Sequence, residues 1–112
     1  MVFKDKLNTN KQNKLVQLYY QDMFTVNANS NRIITISASK FNLNSGKLIF
    51  ADVQRYLAVG ESTIYTNIDI AYHVVNTVIS SITDEVCSIC IYNGNSTTIN
   101  IPIIIRLLAY NE

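Results

Sequence analysis

Hydrophobic and polar residues alternate over much of the second half of the chain, as they do in a half-buried β-strand. The clearest alternation lies within residues 61–80, where Ile68, Ile70 and Tyr72 fall on one face of the predicted strand and Asp69 falls on the other. Valines and isoleucines continue the run towards residue 80. We therefore predict strands in this region, with polar and apolar faces partly separated.

The first apolar segment follows a different spacing. Residues 9–12 have the Thr-x-x-Gln form of a capping box, which satisfies backbone donors at a helix start. Leu15, Tyr19 and Met23 then recur four residues apart, so they would share one stripe of a helix. This pattern predicts an amphipathic helix over about residues 10–24.

The middle of the chain reads as short strands separated by turns. Residues 27–31 and 42–46 are rich in Asn and Ser, whose side chains bond to nearby backbone and favour turns. Residues 32–37 are rich in Ile and predict a strand. Residues 47–59 fit both a helical stripe and a strand, and we favour strands there.

The dipeptide Asn93-Gly94 is the strongest turn signal, because Asn-Gly supplies the positive φ angles of a type I′ turn. Residues 86–92 and 97–108 flank it and are both rich in β-branched residues. We predict a C-terminal β-hairpin formed by these two segments.

These elements together predict one domain over residues 1–112 and a mainly β fold. We expect an antiparallel β-sandwich or small barrel of about six or seven short strands over residues 31–108, preceded by the N-terminal helix. A chain of 112 residues has room for one modest core.

The last predicted strand is apolar on both of its faces near Ile104. Pro102 has no N–H to donate to a ladder, so we expect an edge or a break on one side of the strand there. The apolar faces need cover, which either a neighbouring subunit or the N-terminal helix would supply. The candidate interaction residues are Ile101, Ile103, Ile104, Ile105, Leu107 and Leu108.

The charge content changes the picture of the surface. Hydrophobic residues make up 48% of the chain and charged residues only 15%, with a net charge of +1. A surface with few charged residues has little electrostatic repulsion to prevent association, so we expect a protein partner or a homo-oligomer. A pI near 7.7 argues against nucleic-acid binding, which uses clustered Lys and Arg. With no signal peptide or membrane-spanning run visible, we expect a soluble protein of the cytoplasm or of a virus particle.

The sequence contains no complete pattern for metal binding or catalysis. Cys87 and Cys90 form a C-x-x-C pair, but a structural zinc needs four ligands and His73 is the chain's single histidine. Residues three apart in a strand point to opposite faces, which separates the two thiols. His73 lies in a strand-like run with no carboxylate beside it, so a small enzyme built on it is the less favoured alternative. We expect no catalytic residue, no metal site and no cofactor.

A non-catalytic structural or interaction protein fits this sequence best. Its general character is similar to that of small accessory subunits of virus particles, particularly bacteriophage heads and tails, which are short, β-rich and self-assembling. The alternative is a small β-sandwich module that binds carbohydrate or a host protein, with Tyr and Asn side chains as contacts.

Overall fold

The computed structural model describes residues 14–56 and 66–111 and confirms a mainly β, antiparallel fold. The described residues form seven strands and one short 3₁₀-helix, Ala38–Phe41. The strands are β1 (Lys14–Val26), β2 (Ser30–Ser37), β3 (Gly46–Arg55), β4 (Ile68–Val74), β5 (Val78–Ile79), β6 (Glu85–Asn93) and β7 (Ile99–Asn111).

The predicted N-terminal helix is wrong over its described part, because residues 14–26 form strand β1. A spacing of four is a multiple of two, so Leu15, Tyr19 and Met23 also share one face of a strand. Val16 and Tyr20, which a helix would place beside them, fall on the opposite face. The β-branched and aromatic content of this segment favours a strand. Residues 9–13 lie outside the described residues.

The strands belong to two sheets that share one core. The four-stranded sheet has the order β1-β7-β3-β5, and the three-stranded sheet has the order β2-β6-β4. The chain therefore changes sheet at every connection, and within the described residues no strand pairs with the next one in sequence. Neither sheet can form from local pairing alone.

The strands pair as if a long two-stranded antiparallel ribbon were folded over so that its strands form two sheets. β1 pairs with β7, β2 with β6 and β3 with β5, so the first strands are nested against the last. The added pairs β3–β7 and β4–β6 close the roll. The described strands follow the order of an eight-stranded jelly roll in which one strand position is not filled by a described residue. The missing position lies beside β4, because only residues 75–77 separate β4 from β5.

The predicted C-terminal hairpin is wrong in its pairing, although both of its strands exist. β6 lies in the three-stranded sheet and β7 in the four-stranded sheet, so residues 94–98 cross from one sheet to the other. Asn93-Gly94 begins this crossing. The predicted type I′ turn is also wrong, because neither Asn93 nor Gly94 has a positive φ. Asn93 is the last residue of β6, and the Gly94 N–H donates to the Asn67 carbonyl, which continues the pairing of this strand.

The ambiguous segment 47–59 is a strand as far as it is described. β3 carries a bulge between Leu48 and Phe50 in its pairing with β7. The extra residue shifts the alternation by one position, so Leu48 and Ala51 are both buried while Phe50 is exposed. This shift produces the mixed helix-like and strand-like spacing. Residues 57–59 lie outside the described residues.

The core is formed by the facing sides of the two sheets. β7 occupies the interior of the four-stranded sheet, and every second residue of it from Ile99 to Ala109 is buried. β6 has the same role opposite it, with Cys87, Ile89 and Ile91 buried. The described residues contain no helix long and apolar enough to cross a membrane.

Candidate functional site

The six candidate interaction residues fall on two different faces of β7. Ile101, Ile103, Ile105 and Leu107 point into the core and are at most 2% exposed. Ile104 and Leu108 point to the outer face of the four-stranded sheet and are half-buried. The core four are covered by the opposite sheet of the same chain. A contact surface on β7 therefore depends on Ile104 and Leu108.

The outer face of the four-stranded sheet carries a continuous set of exposed apolar side chains. The register places β1 and β3 on the two sides of β7, so that Gln17, Leu108 and Phe50 form one row across the sheet. Tyr19 and Phe50 are 58% and 57% exposed. We call this surface the outer patch; its members are Leu15, Tyr19, Met23, Phe50, Ile104, Leu108 and Tyr110.

A shallow depression of about 190 Å³ lies within the outer patch. Its walls are Gln17, Tyr19, Phe50, Arg106, Leu107 and Leu108. Arg106 donates to Asp52 at 3.3 Å and to Gln54 at 3.2 Å. These two contacts orient the guanidinium along the sheet, beside the aromatic rings. The depression thus combines two aromatic side chains with an oriented cation and an amide.

Pro102 ends one side of the β7 ladder, as the sequence predicts. The pairing of β3 with β7 stops at Arg55 and Ile103. The carbonyl of Pro102 accepts from the Tyr56 N–H at 3.2 Å, so the nitrogen of Pro102 also points to this side. The missing N–H therefore lies where β3 has run out, and β7 continues to pair with β1 on its other side.

A polar cluster closes the seam between β1 and β2. The Tyr20 hydroxyl donates to Asp22 at 2.6 Å, and Lys40 lies 5.5 Å from the Tyr20 ring centre. The bond to Asp22 raises the pKa of Tyr20 to about 12. The same bond, with the Met23 N–H, the Lys40 ammonium and the Arg32 guanidinium, lowers the pKa of Asp22. The cluster keeps Asp22 ionised and Tyr20 neutral.

Asn93 is the polar residue that is fully buried among the described residues, and it lies where the chain crosses from one sheet to the other. Its side-chain amide nitrogen lies 3.1 Å from the Val26 carbonyl, 3.2 Å from the Asn27 carbonyl and 2.8 Å from the Thr97 carbonyl. Its side-chain oxygen accepts from the Asn95 N–H at 2.9 Å. Asn93 therefore joins the β1–β2 turn to the β6–β7 crossing.

The thiols and the histidine are not brought together into a site. The prediction that Cys87 and Cys90 point to opposite faces is confirmed, since Cys87 is buried in the core and Cys90 is half-buried on the outer face of its sheet. Burial raises the pKa of Cys87 to about 11. His73 is exposed and lies opposite Ser88. Among the described residues, no group of three or more His, Cys, Asp or Glu could hold a metal ion.

Sequence reasoning missed the β1 and β3 members of the outer patch. The spacing of Leu15, Tyr19 and Met23 predicts one apolar stripe, but it predicts that stripe on a helix and not on a strand. A signal was present: the alternate residues 16, 18, 20, 24 and 26 are also apolar or aromatic, which predicts a second face. Two apolar faces at period two indicate a strand that is covered on one side and available on the other.

Comparisons with known proteins give no relative from which a role could be transferred. No protein-family model, no curated protein and no solved structure matches this chain.

Proposed function

We propose that this protein is a non-catalytic structural subunit that associates with copies of itself or with other subunits of a larger assembly. The outer patch is the observation that carries the proposal. Such an assembly is a virus or bacteriophage particle, or a complex in the cytoplasm. The jelly-roll strand order supports this, because viral capsid domains use it, although lectin domains and cupins use it too.

The size of the outer patch favours a protein contact. Its five most exposed members together present about 500 Å² of surface, taking about 200 Å² for each large side chain. This lies at the upper end of the patches found on monomers, which are typically about 300–600 Å². It approaches the roughly 800 Å² that each partner contributes to a standard interface. The half-buried Ile104 and Leu108 add to it.

The low charge of this surface favours association that resists salt. Arg106 adjoins the outer patch as a wall of the depression, and Asp52 pairs with it at 3.3 Å within the same chain, whereas the outer patch itself has no charged member. Its members are apolar or aromatic. Apolar contact is not screened by salt, so we expect the assembly to survive moderate ionic strength.

The test is the mass of the protein in solution at tens of micromolar, measured by light scattering or sedimentation in low and moderate salt. We expect oligomers, and we expect Tyr19→Ser and Phe50→Ser to dissociate them. Ile33→Ser is the matched control, because Ile33 is 72% exposed on the other sheet. A wild-type protein that stays monomeric, or equal effects of all three substitutions, would contradict self-assembly through the outer patch.

The depression supports a second candidate function, a carbohydrate-binding module. Tyr19 and Phe50 offer planar faces for a sugar ring, while Gln17 and Arg106 offer hydrogen-bond donors beside them. Its volume of about 190 Å³ is small, since ligand pockets are typically about 300–1,000 Å³. Glycan-array binding by a stable monomer, lost in Tyr19→Ser and kept in Ile33→Ser, would favour this function over assembly.

A further inference from the structure

The free edge of β4 is shaped to pair with a second copy of itself. β4 pairs with β6 on one side, and no strand of the described residues pairs with it on the other. This is the position that the eighth strand of a jelly roll would occupy. We infer that two copies join here through antiparallel β4–β4 pairing about a twofold axis, which makes one six-stranded sheet across the dimer.

The backbone directions define which groups are available at this edge. The Val75 N–H donates to the Val86 carbonyl at 2.8 Å, and the Asn67 carbonyl accepts from the Gly94 N–H at 2.8 Å. Odd-numbered residues of this strand therefore direct their backbone groups towards β6. Because the direction alternates, the even-numbered residues direct theirs outward. These are Ile68, Ile70, Tyr72 and Val74.

One register uses the whole strand and matches its side chains. Ala71 is the midpoint of Ile68–Val74, and a twofold axis there places Ile68 opposite Val74 and Ile70 opposite Tyr72 of the second copy. These are the outward-directed residues, so each such pair exchanges two backbone hydrogen bonds, about eight in all. Neighbouring registers leave residues at the strand ends unpaired.

The same register is complementary in hydrogen bonding, because an imidazole N–H can donate to a carboxylate. Asp69 comes opposite His73 of the second copy, and His73 comes opposite its Asp69. These are non-hydrogen-bonded pairs, in which side chains approach most closely. Opposite partners of this kind favour pairing, whereas registers shifted by two residues place Asp69 or His73 opposite Ala71. This Asp–His complementarity favours a second copy as the partner and favours this register over the shifted ones.

The core-facing side of β4 also gains cover from this pairing. Ile68 and Ile70 are half-buried, while Tyr72 and Val74 are still 40% and 36% exposed. In the dimer, Tyr72 lies beside Ile70 of the second copy on this face, and Val74 lies beside its Ile68. Apolar residues of β4 that no described strand covers would thus cover each other.

The other free edges carry the protections that natural sheets use against pairing, such as bulges and charges. β2 has a bulge at Ile36 and Ser37, and β5, the edge strand beyond β3, is only two residues long. β1 carries Lys14 and Asp22 along its edge. β4 has no bulge in its pairing with β6, no proline and no lysine. Its charged residue, Asp69, lies opposite His73 of the second copy in this register and therefore does not oppose the pairing.

Ile70→Pro tests the backbone pairing directly. It removes an outward N–H and leaves the β6 ladder intact, so the protomer should fold. Ile70→Val is the matched control, because it keeps the N–H and the β-branched side chain. By sedimentation, we expect Ile70→Pro to raise the dimer dissociation constant at least tenfold relative to Ile70→Val, with unchanged circular dichroism. Equal dissociation constants would overturn the inference.

A charge swap tests the register. His73→Asp puts Asp opposite Asp twice per dimer, and we expect a dissociation constant about tenfold higher. Asp69→His combined with His73→Asp restores opposite pairs, and we expect it to return the constant to within about threefold of wild type. Failure of the double variant to rescue dimerisation would overturn this register, and neither variant should change the outer patch.

This inference rests on the proposed function and names the partner at one of its surfaces. The two proposals fail separately. If Tyr19→Ser dissociates the assembly and Ile70→Pro does not, the outer patch stands and the β4 pairing is wrong. If Ile70→Pro alone dissociates it, the β4 pairing stands and the outer patch is not a contact surface. A wild-type protein that remains monomeric overturns both.

Discussion

Replacing Asn93 should destabilise the protein more than replacing any exposed asparagine. The Asn93 amide nitrogen has two hydrogens and lies within hydrogen-bonding distance of three backbone carbonyls. Its side chain is 0% exposed, so water does not replace the lost bonds. Asn93→Asp keeps the shape of the side chain but turns an acceptor towards those carbonyls, and Asn93→Ala removes the donor altogether.

The magnitude follows from the buried carbonyls that lose their donor. Each unsatisfied buried polar group costs about 1–3 kcal/mol, and the two amide hydrogens serve at least two such groups. We expect Asn93→Ala to lower the free energy of unfolding by about 3 kcal/mol, and Asn93→Asp by at least as much. This is a large part of the roughly 5–15 kcal/mol that stabilises a domain.

Equilibrium unfolding in urea measures the effect. With a slope of about 1.5 kcal/mol per molar urea, a loss of 3 kcal/mol moves the midpoint by about 2 M. Asn31→Asp is the control, because Asn31 is exposed on β2. All variants are compared at one low protein concentration, since oligomerisation also stabilises. A midpoint shift for Asn93→Asp no larger than that for Asn31→Asp would refute the reasoning.

Three further predictions follow from local contacts. Tyr20 should ionise near pH 12 in an ultraviolet titration, and the substitution Asp22→Asn should return the pKa of Tyr20 towards 10. Because folding raises the pKa of Tyr20, the bond to Asp22 stabilises the fold fully below pH 10. That stabilisation is lost as the pH rises through 12. Because burial raises the pKa of Cys87 to about 11, a thiol reagent should modify Cys90 first and Cys87 only on unfolding. Gly94→Ala should destabilise by about 1–2 kcal/mol in urea unfolding, since its Cβ would lie 3.1 Å from a backbone oxygen and from a tyrosine ring.

Each of these three predictions has an outcome that would contradict it. Unchanged ionisation of Tyr20 in Asp22→Asn would mean that the 2.6 Å bond does not persist in solution. Rapid modification of Cys87 in a Cys90→Ser protein would mean that the core opens readily. A Gly94→Ala protein as stable as wild type would mean that the crossing shifts to accept a methyl group.

The sequence predicted the strands well because alternation is a local property. The faces of Ile68, Ile70 and Tyr72 and the opposed directions of Cys87 and Cys90 follow from period two alone. The helix was predicted wrongly because a four-residue spacing fits both periods, and the choice between them depends on whether a second apolar face is also covered. That cover comes from the opposite sheet, which no local pattern contains.

Pairing partners were the other part that local pattern could not supply. Asn93-Gly94 favours a type I′ hairpin turn by local propensity, but in the structure neither residue has a positive φ and the chain crosses to the opposite sheet. The choice is made by contacts distant in sequence, such as the bonds from Asn93 to Val26 and Asn27. The outer patch depends on the same distant pairing, because Tyr19 and Phe50 meet only when β1 and β3 flank β7.

The position of β7 in the four-stranded sheet also constrains how the protein folds during synthesis. β7 separates β1 from β3, and its register joins Lys14 to Asn111, so this sheet waits until residues 99–111 have left the ribosome. Until then β1 is an apolar strand without its neighbour, exposed to every other nascent copy. Folding should therefore be slow and concentration-sensitive, and helped by chaperones that shield the first strand.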